Sequence, residues 1–146
     1  MRLRPKSDYL QKASWVNLYV LTKYWESDIA FYKDEIRFLY GLIDKYFIWM
    51  TDEEHVEEVG KLSRELNRLG TVFKALTTQM KEHRAKMSLL LENEYSHEEE
   101  VFRAEHEVLE DEFKKATIDF RTLKRRVFEV TEKVMDEEKL QHLLTR

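Results

Sequence analysis

Apolar side chains recur along this chain in alternating steps of three and four residues, in three long stretches separated by two short polar breaks. The first stretch runs Trp15, Leu18, Thr22, Trp25, Ile29, Tyr32, Ile36, Leu39, Ile43, Tyr46, Met50. The second runs Val59, Leu62, Leu66, Leu69, Phe73, Leu76, Met80, His83, Met87, Leu90, and the third Phe102, His106, Leu109, Phe113, Ala116, Phe120, Leu123, Val127, Val130, Val134. Such spacing lays one stripe along a helix, whereas a half-buried strand alternates every second residue. Because the mean step of about 3.5 residues falls short of the helical ~3.6, the stripes stay face to face only if the helices supercoil gently to the left.

Where the stripes stop, helix-start chemistry appears. Thr51-Asp52-Glu53-Glu54 and Ser96-His97-Glu98-Glu99 both match the reciprocal capping box, in which the hydroxyl accepts from an orphan amide and the Glu reaches back to the cap. Pro5, Ser7 and Asp8 form an entry to the first helix, and Asp8 and Gln11 continue the Trp15 stripe backwards. These signals predict helices from about Asp8 to Trp49, Asp52 to Glu94 and His97 to His142, each ~60 to 70 Å long at ~1.5 Å per residue. Links of a few residues force each helix antiparallel to the one before. The predicted fold is therefore all-α, an antiparallel up-down-up bundle of three long helices with coiled-coil-like packing, forming one domain over residues 1–146. A kink near Gly70 or between Met87 and Glu94 gives the alternative, a four-helix bundle.

Pairing levels across the two turns places Trp25 level with Leu76 and Ala116, a large, a medium and a small side chain in one layer, as dense packing requires. Gly41 falls level with Gly60. Glycine inside a helix costs about 1 kcal/mol relative to alanine, so two at one height predict close backbone approach between the first two helices.

The aromatic residues exceed what three stripes absorb. Residues 1–50 hold twelve of the eighteen aromatics. Beside its seam the first helix carries Tyr24, Phe31, Phe38, Leu42 and Trp49 on an adjoining stripe, and Tyr19, Tyr40 and Phe47 on a third. An apolar surface of this kind marks a contact. The expected contact is a homodimer, with a partner helix from another protein as the alternative, and Tyr40, Phe47 and Trp49 are the expected interaction residues.

With no cysteine, the chain has no disulfide, thiolate nucleophile or cysteine zinc site, which permits a reducing compartment. The stretch Trp15 to Leu21 lacks the cleavage pattern of a secretion signal, and the apolar run Phe38 to Met50 is too short to span a bilayer. A cytoplasmic location without membrane attachment is expected. The net charge of -4 argues against nucleic acid. The basic cluster Lys124, Arg125, Arg126 lies level with Asp34 and Glu35, which predicts ion pairs within the bundle rather than a phosphate track. The acid run from Glu98 to Glu112 reads as a solvated helix face.

Polar residues inside the stripes are the candidates for chemistry. His83 sits between Met80 and Met87, His106 between Phe102 and Leu109, and the two fall within about one turn of each other, with Trp15 at the same height. Glu110 follows His106 by four residues, so His83, His106 and Glu110 could hold a divalent transition metal. Two imidazoles hydrogen-bonded to Glu105, Gln79 or water are the plainer reading. A second polar group, His55 with Glu138 and His142, belongs at the other end. Carboxylate-bridged di-iron bundles need paired Glu-x-x-His units; here Glu94-Tyr95-Ser96-His97 has that spacing but straddles the second turn, and no family resemblance follows.

No nucleophile stands beside a base, and no glycine-rich loop offers amides to phosphate. Catalysis is thus the minority expectation. The favoured reading is a non-enzymatic structural or protein-interaction bundle associating through the aromatic face of its first helix. The alternative is a metal-binding bundle with a His/carboxylate site.

Overall fold

Residues 15–50, 53–92 and 99–144 are described by a computed structural model, and they form three helices that pack on one another. Helix α1 spans Trp15–Phe47, α2 spans Glu53–Glu92 and α3 spans Glu99–Leu144. No strand occurs among the described residues. The chain is an all-α, antiparallel three-helix bundle.

The helices form because their apolar residues keep helical spacing without interruption. Every described seam position of α2 from Val59 to Met87, and of α3 from Phe102 to Val134, is buried. In α1 the seam is buried at Leu18, Thr22, Trp25, Ile29, Ile36, Leu39 and Ile43, while Trp15, Tyr32 and Tyr46 are half-buried at its edge. Helix α2 runs unbroken through Gly70, so the four-helix alternative does not occur there. Both α2 and α3 begin on paired acids, Glu53 with Glu54 and Glu99 with Glu100, which suit the positive end of a helix dipole. The capping residues Thr51 and Asp52, the segment Glu94 to His97, and the entry from Pro5 to Gln11 lie outside the described residues. Between α1 and α2 the backbone closes with Trp49 N–H donating to Tyr46 O and Met50 N–H to Phe47 O, 3.1 and 3.0 Å.

Each helix contributes one part to each of two compact units. The first unit joins residues up to Tyr32 with Val72–Thr117. Within it, Leu18, Met87 and Phe102 cluster with Trp15 and Tyr19 packed against them. Trp25 is fully buried; its ring lies 5.8 Å from that of Phe113 and stacks on His106 at 4.9 Å. Leu76 and Ala116, expected level with Trp25, are buried in the same unit, and the Trp25 ring contacts residues towards the N-terminal end of α3, the way side chains on a helix lean. Arg84 of α2 donates to Glu26 of α1 at 2.6 Å and reaches the Tyr19 hydroxyl at 3.5 Å. The Arg84 guanidinium, by that hydrogen bond, holds the Tyr19 phenol below its ordinary pKa.

The second unit joins Lys33–Thr71 with the chain from Ile118 onward. Here Ile36, Leu39, Ile43, Leu62, Leu66, Leu69, Phe120, Leu123, Val127 and Val130 make the core. Lys124 Nζ donates to Glu35 at 2.9 Å, the ion pair expected from their level, while Asp34 turns instead to Arg37 of its own helix at 2.7 Å.

The glycine expectation fails. Gly41 is exposed, and a Cβ built on it would meet no atom within 4 Å; at Gly60 the nearest atom is Arg64 Nη1, 3.5 Å away. Neither glycine marks a close approach between α1 and α2, because equal height does not fix the direction in which a residue points.

Three polar residues of α3 are buried beside its seam: Glu110, Thr117 and Thr131. Helix α3 packs against both neighbours, so its buried stripe is wider than the apolar seam. The threonines satisfy their hydroxyls on the preceding turn, Thr117 donating to Phe113 O and Thr131 to Val127 O, both at 2.9 Å.

Candidate functional site

Two features stand out from ordinary bundle packing: an exposed aromatic face on α1 and a buried histidine pair.

The aromatic face follows from the surplus of large side chains on α1. In the second unit Phe38 is 60% exposed, Phe47 51% and Trp49 38%. Trp49 leans on Tyr46, ring centroids 5.2 Å apart. Tyr40 does not join them. It is half-buried, and its hydroxyl donates to Ser63 O of α2 at 3.2 Å, so this expected interaction residue ties two helices of one chain together. Burial also raises the Tyr40 phenol above its ordinary pKa. Beside Phe38 a groove of 340 Å³ opens between α1 and α3, lined by Asp34, Glu35, Phe38, Leu39, Lys124 and Phe128. Phe128 belongs to none of the apolar stripes; it follows the seam residue Val127 and is exposed. In the first unit Tyr24 and Phe31 are exposed on α1 as well.

The histidine pair forms because α2 and α3 each place an imidazole on their seam at one level of the first unit. His83 Nε2 lies 3.0 Å from His106 Nδ1, both residues are fully buried, and the ring of His83 stacks on Phe102 at 4.1 Å and 2°. Trp25 covers the other imidazole. Trp15, expected at this height, lies instead edge-on to Phe102 at 5.3 Å with the Arg103 guanidinium 4.2 Å over its face. One nitrogen of the facing pair must carry a proton and the other must not. Glu105 Oε1 stands 3.6 Å from His83 Nδ1. A carboxylate on the Nδ1 side favours the tautomer in which His83 carries its proton there and His106 donates to His83 Nε2. Burial holds His83 below its ordinary pKa, with Glu105 pulling it part of the way back and Lys86 opposing protonation.

This geometry does not make a metal centre. Among the described residues no group of three or more His, Cys, Asp or Glu is placed to hold a metal ion, so Glu110, though buried, does not complete the expected set.

At the other polar group, His55 is buried in the second unit and its Nε2 lies 3.1 Å from Glu137. The partner is Glu137 rather than the expected Glu138, one residue along α3. The side chain of His142 lies outside those described.

No helix among the described residues is long and apolar enough to cross a membrane. No protein-family model matches the chain, and no curated protein or solved structure matches it.

Proposed function

We propose that this protein is a non-enzymatic structural or interaction bundle that associates with a second copy of itself through the aromatic face of α1. One observation carries the reading: Phe38 and Phe47 are more than half exposed on a helix whose own seam is buried. Scattered exposed apolar residues are ordinary on a monomer, but Phe38 and Phe128 beside a groove hold surface that association removes from water. Trp49 adds a third ring, and Tyr40 serves the bundle itself. The three-and-four spacing of the seams supports coiled-coil-like packing, and the absence of cysteine suits residence in the reducing cytoplasm.

Light scattering coupled to size exclusion tests this on the full chain. The wild type is expected to elute as a dimer, and Phe38→Glu with Phe47→Glu to give a monomer of unchanged helix content by circular dichroism. A wild type that stays monomeric at every concentration up to about 1 mM sinks the reading, since that limit corresponds to only about 4 kcal/mol of association.

A further inference from the structure

We infer that the dimer forms by antiparallel pairing of α1 with α1 of a second copy, about a two-fold axis passing between Phe38 and Gly41. The inference rests on the self-association proposed above and names its geometry.

Asp34, Phe38, Gly41 and Lys45 are all exposed and succeed one another along α1 in steps of four, three and four residues. At about 100° per residue they fall within one narrow strip of the helix. That spacing is the seam of a helix pair, and no described residue of the chain buries it. Pairing the strip with itself, reversed, sets Phe38 opposite Gly41 of the second copy and Asp34 opposite its Lys45. The two-fold axis repeats both contacts. The sequence of the strip is therefore complementary to its own reverse in charge and in size.

Gly41 supplies the second, independent argument. A glycine in a helix interior costs stability relative to alanine through backbone entropy. Here the fold draws nothing from it: it is exposed, it has an ordinary helical backbone, and a Cβ would meet no atom within 4 Å. A neighbouring helix gains what the chain itself does not use, because the missing side chain lets a second helix and its rings approach the α1 backbone more closely. Phe38, the most exposed ring of the second unit at 60%, stands one turn away to make that approach to the other copy.

Charge fixes the direction. Asp34 at one end of the strip and Lys45 at the other are exposed, and Asp34 is held only by the exposed, i to i+3 contact with Arg37, which stabilises little. Antiparallel pairing brings unlike charges together at both ends. Parallel pairing would set Asp34 against Asp34 and Lys45 against Lys45.

Sedimentation equilibrium of the full chain and of five variants decides the matter, with circular dichroism confirming equal helix content. Asp34→Lys and Lys45→Asp are each expected to weaken the dimer by about tenfold, because each sets two like-charge contacts about the axis. The two together are expected to restore it. Gly41→Leu is expected to raise the melting temperature of the monomer while weakening the dimer, two opposite signs that a fold defect cannot produce. The fifth variant, Phe47→Glu, separates this inference from the broader one. A dimer indifferent to the charge exchange and to Gly41→Leu, yet weakened by Phe47→Glu, overturns the α1 pairing and leaves self-association standing. Charge variants whose effects add rather than cancel overturn the antiparallel direction. A monomeric wild type overturns both.

Discussion

His83 and His106 share one hydrogen bond, Nε2 to Nδ1 at 3.0 Å, with both rings out of solvent. The bond survives only while one of the two facing nitrogens stays bare, so protonating both imidazoles would turn two N–H groups towards each other.

Acid should therefore weaken the bundle through this pair. Burial lowers the His83 pKa below its ordinary value of 6.5, so as pH falls the unfolded chain takes up the proton first. The stability due to His83 is fully present above that value and is lost as pH falls through it towards the lower folded value, at up to about 1.4 kcal/mol per pH unit for one proton. Urea unfolding at a series of pH values through this window should show the slope, and His83→Leu combined with His106→Leu should flatten it. The remaining histidines are common to both proteins and cancel in the comparison. Equal slopes in the two would refute the role given to this pair.

Trp25 is the largest fully buried side chain, stacked on His106 and tilted against Phe113. Truncation removes apolar contact and opens a cavity that helices braced by their other contacts collapse into only in part. Trp25→Ala should cost about 3–5 kcal/mol by denaturant unfolding, and Trp25→Phe less, since it keeps a ring in the site. A loss below 1 kcal/mol for alanine would mean that the ring is not packed as described.

The seam residues were legible because three-and-four spacing is a property of the residue series itself, and from Val59 to Met87 and Phe102 to Val134 every member is buried. Register was legible to about a turn, which is why Lys124 meets Glu35 as expected while Trp15 misses the histidines and Glu137, not Glu138, meets His55. Heights follow from chain lengths, but the lean of each side chain is decided by rotamers that no periodicity contains. The burial of Thr117 and Thr131 was invisible for a different reason: both residues are polar and stand outside the apolar seam. The histidine pair was legible as a proximity and not as a chemistry, because whether two imidazoles bond each other or a metal turns on ring orientation.

Gly70 offers a test free of the interface. It lies within α2, has no positive φ, and a Cβ there would meet nothing within 4 Å. Alanine should restrict the unfolded chain without disturbing the folded one, so Gly70→Ala should stabilise by about 0.5–1 kcal/mol. A destabilised variant would instead reveal a bend at Gly70 that a continuous helix does not have.

Tyr40 separates what holds the chain together from what joins copies of it. Its hydroxyl donates to Ser63 O across α1 and α2, and its ring is half-buried. Tyr40→Phe deletes the donor and keeps the ring. The variant should lose about 0.5–1.5 kcal/mol of folding stability, the usual worth of one such bond, while its dimer dissociation constant stays at the wild-type value. Phe38→Ala should do the reverse, weakening association while shifting the unfolding of the monomer little, since most of that ring already faces water. Urea unfolding and sedimentation on the same pair of variants read both quantities. An association defect in Tyr40→Phe would return Tyr40 to the interface and require that its bond to Ser63 be given up when two copies meet.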